Sequence, residues 1–256
     1  MSLRVLVFAE DALGVILARD LCDRVVIERG PPWLSDLWRA AEIREELRGW
    51  SGAEPGDAWT TWTSAKALAR RLGVVTHGLG MGGYAVVAYR AARIAATLVP
   101  APDLVVFCID TQGQASRRVE MLDGLRKARV AELPFALAVA HQESEAWVVA
   151  GFVPEGPIED AVLDNLKREH GFDPTREAHR LTPGRPTNPH DAKRACAVLF
   201  PEGTISPRGE RCWLEMPLDE LAERSGRTGL VEYLSDVAQV VLPILGAAKV
   251  HERTGC

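Results

Sequence analysis

Two acidic residues follow apolar segments that are typical of buried strands. Glu10 follows the run RVLVFA at residues 4–9, and Asp110 follows the run DLVVFCI at residues 103–109. Open parallel sheets bind their ligands beyond the carboxyl ends of the strands, so both carboxylates are candidates for a site there. Carboxylate oxygens suit Mg²⁺ or Mn²⁺, which keep several waters and bridge to phosphate groups. The alternative is that each acid only caps a following helix, as Asp11 also could.

A second group of donors, HQESEAW at residues 141–147, follows a third apolar run at residues 134–140. Here Glu143 or Glu145 could complete a metal site, and His141 could act as a base or contact a phosphate. The alternative is structural, because glutamates in the first turn of a helix complement its dipole. The spacing of these residues leaves both interpretations open.

A third candidate is the segment NPHDAKR at residues 188–194. Asn188 or Asp191 could start a helix, since short polar side chains are favoured at helix N-caps. Lys193 and Arg194 could contact a phosphate or stabilise developing negative charge. A solvated helix face is the competing interpretation.

The glycines of residues 78–83 form a GxGxxG match ahead of a predicted helix. A dinucleotide-binding fingerprint requires a strand immediately before the glycines, within a tight βαβ unit. Only the short segment 74–77 precedes them here. A nucleotide-binding Rossmann-type protein therefore remains a third hypothesis for the function, behind the two that are set out below.

The elements that must position these residues alternate along the chain. The runs at 4–9, 103–109 and 134–140 are short, continuous and apolar, as expected of strands buried on both faces, and residues 24–28 (RVVIE) are a plausible fourth strand. Helical patterns lie between and after them, at residues 13–21, 32–48, 64–72, 84–98, 114–129, 158–170, 190–200 and 229–245. This alternation predicts an α/β fold with a mainly parallel, Rossmann-like sheet flanked by helices.

The strand signals fade after about residue 150, and the following region is rich in proline, glycine and charge. We therefore predict one domain over residues 1–256. Its core lies in about residues 1–150, and about residues 151–256 form a C-terminal helical cap. In the last helix, Pro243 is expected to bend or end the helix.

The composition argues against some kinds of partner, but it does not decide which chemistry the protein performs. The net charge of −5 argues against a generally basic nucleic-acid binder, so contact with a polyanion would need a local basic groove or a bridging metal. The five cysteines are widely spaced and form no CxxC pair, which favours a reducing compartment. No apolar stretch approaches the roughly 20 residues that span a bilayer. We therefore expect a cytoplasmic protein without a membrane partner.

Taken in order, these motifs resemble a bacterial TOPRIM-like family of unknown function, which is related to the TOPRIM domains of OLD-type nucleases. The resemblance covers about residues 3–245, and the Glu-Ala-Trp of residues 145–147 is its most specific part. It implies a TOPRIM-like fold that binds Mg²⁺ or Mn²⁺ for phosphodiester chemistry. It implies Glu10 and Asp110 as the acids that bind the metal. In the enzyme hypothesis below, Glu10 acts as base or metal ligand, Asp110 as metal ligand and Glu143 or Glu145 as an additional ligand, and Lys193 stabilises charge on the phosphate.

The sequence departs from the family pattern at the second acid of its Asp-x-Asp motif, where Gln112 stands. Gln112 can ligate a metal through its carbonyl oxygen, but it adds no charge. Two hypotheses follow. The first is a metal-dependent nuclease or phosphoryl hydrolase. Such an enzyme could act in phage and mobile-element defence together with an ATPase partner. The second is a catalytically inactive TOPRIM-like subunit that binds a partner or nucleic acid.

Overall fold

The computed structural model describes residues 2–76, 80–130, 133–184 and 188–254. The strands are β1 (Leu3–Ala9), β2 (Arg48–Ser51), β3 (Thr60–Thr61), β4 (Leu104–Asp110) and β5 (Phe135–Ala140). The helices are α1 (Ala12–Arg29), α2 (Pro32–Arg39), α3 (Ala41–Leu47), α4 (Trp62–Arg71), α5 (Gly83–Ala95), α6 (Ser116–Ala128), α7 (Glu145–Ala150), α8 (Pro157–His170), α9 (Ala192–Leu199), α10 (Pro207–Leu214), α11 (Leu218–Ser225) and α12 (Leu230–Thr254). A short 3₁₀ turn covers Ala178–Arg180.

The strands form one five-stranded sheet in the order β2-β1-β4-β5, with β3 also paired to β1. β1 runs parallel to β2, β3 and β4. The Val105 amide donates to the Pro134 carbonyl and the Thr111 amide to the Ala140 carbonyl, so β5 keeps a constant offset and runs parallel to β4. The predicted α/β fold with a mainly parallel sheet and flanking helices is therefore confirmed.

Two compact units can be distinguished in the chain. The first comprises Met1–Cys108, Ala115–Ala138 and Leu234–Cys256, and it holds most of the sheet. The second comprises Ile109–Gln114 and Val139–Tyr233, and it holds the turns after β4 and β5 together with helices α7 to α11. Each unit draws on separate stretches of sequence. That the whole chain folds as one domain stays a prediction.

The prediction of a strand over residues 24–28 is wrong, because these residues form the last part of α1. Asp11 begins this helix by accepting a hydrogen bond from the Gly14 amide at 2.8 Å. Leu17, Leu21 and Val25 are each fully buried and recur every four residues, which is a helical rather than a strand period. The β-branched residues of this segment are thus buried in a helix that begins at Ala12.

The single helix predicted over residues 32–48 is divided in two, because the backbone of Ala40 is extended between α2 and α3. Asp23, a residue of α1, forms hydrogen bonds with this region. Its carboxylate accepts from Trp38 Nε1 at 2.9 Å and from Arg48 Nη2 at 2.8 Å. Burial raises the pKa of Asp23 although Arg48, Trp38 and Arg44 oppose it. The pairing with Asp23 accounts for a buried arginine at the first residue of β2.

The region after β5 is helical, as predicted. Its helices include α8 and α9, at the two positions where the pattern is clearest. Beyond Ala140, the described residues contain no strand, and only the isolated bridge between Thr182 and Asp191 is of β type. Pro243 does not end the last helix, since α12 continues to Thr254, and the alternative that Pro243 bends this helix stays a prediction. Within the described ranges, no helix is long and apolar enough to span a membrane.

An ion pair at the amino end of the sheet yields a pH-dependent prediction. Arg4 donates to Asp103 from its backbone amide at 2.8 Å and from Nη2 at 3.0 Å. Burial alone would raise the pKa of Asp103, but the hydrogen bonds and charge of Arg4 outweigh it and hold this pKa below its usual value. The resulting stabilisation is present above about pH 4 and is lost as the pH falls through the lowered pKa.

We therefore expect Asp103→Asn to lower the free energy of unfolding at pH 7 by about 1 kcal/mol and to flatten its pH dependence below about pH 4. Urea unfolding between pH 3 and pH 7 measures both effects. Asp36→Asn is the matched control, because its pair with Arg39 is largely exposed on both sides. A loss in the Asp103 variant no larger than that of the control would contradict the expectation.

Candidate functional site

The turns after β4 and β5 are tied together in the second unit by hydrogen bonds. The Thr111 amide donates to the Ala140 carbonyl at 2.8 Å, and the Gln112 amide donates to the Gln142 carbonyl at 2.9 Å. The Gln142 amide in turn donates to Thr111 Oγ1 at 3.0 Å. Thr111 is buried, and its hydroxyl also lies 3.3 Å from His141 Nδ1. These bonds fix both turns as they leave the sheet.

Both turns contain backbone conformations that side chains rarely adopt. Gln112 has φ 48° and Gln142 has φ 79°, both in the left-handed region, and Gly113 has φ 78°. A Cβ at Gly113 would lie 3.1 Å from Gln142 Oε1. Such conformations cost about 1 to 3 kcal/mol each and cluster at functional sites. Their occurrence in both turns therefore marks this region as a candidate site.

Asp110 ends β4 and is only 8% exposed. Its Oδ1 accepts a hydrogen bond from the backbone amide of Ser144 at 3.0 Å, which links the end of β4 to the turn before α7. Ser144 is itself buried, and its Oγ has no hydrogen-bond partner among the described residues. Gln142 Oε1 is likewise buried without a described partner. Two polar atoms of the β5–α7 turn are thus buried without a hydrogen-bond partner in the described part of the chain.

Lys193 provides positive charge beside this turn. Asp191 begins α9 by accepting from the Arg194 amide at 2.8 Å, as predicted for a helix cap, and Lys193 lies in the first turn. Its Nζ lies 3.1 Å from Glu143 Oε1. The side chain of Glu143 is 4% exposed, whereas that of Lys193 is 59% exposed. A buried carboxylate is thus paired with an ammonium group that reaches it from the surface.

The electrostatics of Lys193 show which acids surround it. Partial burial lowers its pKa, but the charge of Glu145, the hydrogen bond and charge of Glu143, and the charge of Asp110 together raise the pKa above its usual value. Three of the four acids predicted to bind metal therefore act on one ammonium group. Glu145 begins α7, and its backbone carbonyl accepts a weak hydrogen bond from Cys196 Sγ at 3.6 Å.

The oxygen donors of this cluster fit the chemistry of Mg²⁺ or Mn²⁺, which prefer carboxylate and carbonyl oxygens. In residues 2–76, 80–130, 133–184 and 188–254, however, no three His, Cys, Asp or Glu side chains are grouped as a metal site requires. The ammonium of Lys193 supplies the positive charge that the acids need in this arrangement. A divalent ion would therefore have to displace Lys193 from Glu143.

Two predicted site residues, Glu10 and Gln112, are exposed. Glu10 belongs to the first unit, where it is exposed directly after β1. Its charge contributes to the raised pKa of Tyr84, after burial, which is the larger cause. Gln112 belongs to the second unit, but it is exposed and has a left-handed backbone. The roles of Glu10 and Gln112 as metal ligands stay predictions.

Sequence reasoning missed Thr111, Gln142 and Ser144. Thr111 and Ser144 are ordinary residue types at ordinary positions, and their importance arises from contacts between two turns about 30 residues apart in the chain. A weak signal existed for the left-handed turn after β4, since Gly113 follows Gln112 and glycine favours positive φ. For Gln142, the sequence carries no such signal.

The glycine-rich segment has a different environment from that of a nucleotide site. Gly78 and Leu79 lie outside the described residues, and the described residues 74–76 form no strand. Gly82 caps α5 without a side-chain hydrogen bond, and the Tyr84 amide donates to Glu120 Oε2 at 3.2 Å. A carboxylate thus occupies the position at the helix start where a phosphate would bind.

Comparison with known proteins adds no relative. No protein-family model matches the chain, and no match is found among curated proteins or among solved structures.

The bond between Thr111 and Gln142 yields a prediction for the site. Thr111→Val keeps the shape of the side chain but removes the acceptor of the Gln142 amide. We expect a loss of about 1 to 2 kcal/mol in the free energy of unfolding, because a partly buried donor loses its partner. Urea denaturation measures it. Thr97→Val is the matched control, since Thr97 lies in the turn after α5 and its hydroxyl donates to the Ile94 carbonyl of that helix. Equal losses in both variants would contradict a special role for Thr111.

Proposed function

We propose that the chain is a Mg²⁺- or Mn²⁺-dependent phosphoryl hydrolase with a TOPRIM-like fold, acting on phosphodiester bonds of nucleic acid. The observation that carries this proposal is the convergence of the charges of Asp110, Glu143 and Glu145 on the ammonium of Lys193. Acids and a cation beyond the carboxyl ends of two adjacent parallel strands are the elements that metal-assisted phosphoryl transfer uses.

The proposed roles follow from burial and position. Asp110, Glu143 and Glu145 hold the metal, and Gln112 adds a neutral carbonyl oxygen from the turn after β4. The ion supplies positive charge to a phosphate oxygen. Lys193, whose side chain is 59% exposed, turns from Glu143 to the phosphate and stabilises the charge that develops there. Ser144 holds Asp110 through its backbone amide.

A competition between Lys193 and the metal gives the proposal a direct test. In Lys193→Met the acids lose their internal counter-charge, so we expect Mn²⁺ to bind a few-fold more tightly, up to about tenfold. Cleavage of DNA or RNA is expected to fall strongly, because the charge that faces the phosphate is gone. Calorimetric Mn²⁺ titration and a nuclease assay measure the two opposite changes.

Lys167→Met is the matched control, because Lys167 also pairs with a carboxylate of the second unit, that of Asp173 at 3.1 Å. Neither metal affinity nor cleavage should change in this variant. Asp110→Asn should weaken Mn²⁺ binding while the fold persists, as checked by circular dichroism. Absence of Mn²⁺ binding to the parent protein at millimolar concentrations would refute the metal-dependent enzyme.

Glu10 is tested separately because it belongs to the first unit. The proposed role as base or metal ligand predicts that Glu10→Gln lowers cleavage by a factor of 100 or more, as expected on removal of a general base. Its exposure predicts an unchanged free energy of unfolding. A variant that cleaves as fast as the parent would remove Glu10 from the proposed site.

The second candidate is a catalytically inactive TOPRIM-like subunit that binds a partner or nucleic acid. Two observations favour it: Gln112 stands in place of an acid, and the described residues hold no preformed three-ligand group. This alternative predicts no metal binding and no cleavage under any metal. An ATPase partner is compatible with both proposals. The net charge of −5 predicts that the chain binds nucleic acid weakly when no metal or partner is present.

A further inference from the structure

A second polar cluster, which we call the histidine pair, consists of His170 and His190 in the second unit. His170 ends α8, and its ring centre lies 5.4 Å from that of His190. Phe172 lies against both rings, at 5.3 Å from His170 and 5.5 Å from His190. His190 lies in the NPHDAKR segment at residues 188–194, but neither histidine has a role in the proposed phosphoryl site.

His170 is 4% exposed, and neither of its ring nitrogens has a hydrogen-bond partner among the described residues. A neutral imidazole carries one donor and one acceptor, so burial of both without partners is costly. Phe172 offers an aromatic ring to His170 but no strong acceptor or donor. Buried polar atoms of this kind call for a ligand, an ordered water or an ion.

The separation of the two rings matches that of two histidines on one metal ion. With metal–nitrogen bonds of about 2.0 to 2.1 Å and a tetrahedral angle, the two ring centres lie about 5 Å apart. The 5.4 Å observed is close to this distance.

We propose that His170 and His190 bind a borderline transition-metal ion such as Zn²⁺. Imidazole nitrogens suit Zn²⁺, Cu²⁺ and Ni²⁺, whereas Mg²⁺ prefers oxygen. The described residues provide no third His, Cys, Asp or Glu for the ion. The remaining positions are therefore filled by water or by an external ligand, and the affinity is micromolar rather than that of a closed structural zinc site.

The site joins two elements that an ion pair already links. Arg194 of α9 pairs with Glu169 of α8, one residue before His170. His190 directly precedes Asp191, which caps α9. A metal held by the histidine pair would therefore fix the end of α8 to the start of α9, the helix that carries Lys193. Zn²⁺ is expected to raise the melting temperature, since it binds the folded chain only.

Zn²⁺ titration of the full chain, followed by calorimetry and thermal unfolding, tests the proposal. We expect one ion per chain with a micromolar Kd and a higher Tm. His190→Asn should weaken binding by about tenfold or more and abolish the shift in Tm. His179→Asn is the control, because it removes a half-buried histidine of the same unit that is not in the pair. It should bind Zn²⁺ as the parent does.

Two further experiments distinguish Zn²⁺ binding at the histidine pair from metal binding at the proposed phosphoryl site. Asp110→Asn should leave Zn²⁺ affinity unchanged, and millimolar Mg²⁺ should not compete. His170→Gln should behave as His190→Asn does; should the buried change prevent folding, the half-buried His190 decides alone. The proposal is overturned by a parent protein that binds no Zn²⁺ at 100 times the expected Kd, about 100 µM, or by a His190→Asn variant with parental affinity. Loss of binding only in Asp110→Asn would also overturn it.

Discussion

Burial of β4 along its whole length is the constraint on which the architecture depends. All seven residues of this strand are buried, so its amides and carbonyls cannot be solvated. The amides and carbonyls of β4 bond to a strand on each side. On one side is β1, in a register that pairs Val5 with Leu104, and on the other side is β5. Parallel neighbours require long crossover connections, and helices provide them on the way from one strand to the next.

The same constraint accounts for the polar turns at the end of the sheet. The bond from the Thr111 amide to the Ala140 carbonyl keeps the offset of the β4–β5 ladder one residue beyond Asp110. In the turns that follow, a side chain joins the bonding, because the Thr111 hydroxyl accepts from the Gln142 amide. Left-handed conformations at Gln112 and Gln142 are the cost of these bonds. A strained but fully specified pair of turns can hold a carboxylate such as Asp110 in one orientation.

Charge balance links this region to the helices that follow. The side chain of Glu143 is 4% exposed, and a buried carboxylate requires a counter-charge. Lys193 of α9 provides this charge from the surface. Lys193 is positioned by the cap of its helix, Asp191, which is fully buried. The proposed phosphoryl site and the histidine pair thus share one segment, residues 188–194, although their donors suit different metals.

The sequence by itself determined the parallel α/β class, because three short apolar runs that are typical of strands buried on both faces alternate with helical patterns. It also determined the helix caps at Asp11 and Asp191, which depend on neighbouring residues alone. It did not determine the helical state of residues 24–28, since β-branched residues adopt either state according to what covers them. Only the tertiary structure decided that Lys193 pairs with Glu143, that Ser144 holds Asp110 and that His170 faces His190. These contacts join residues 20 to 50 positions apart, and such distances are fixed by packing rather than by local sequence.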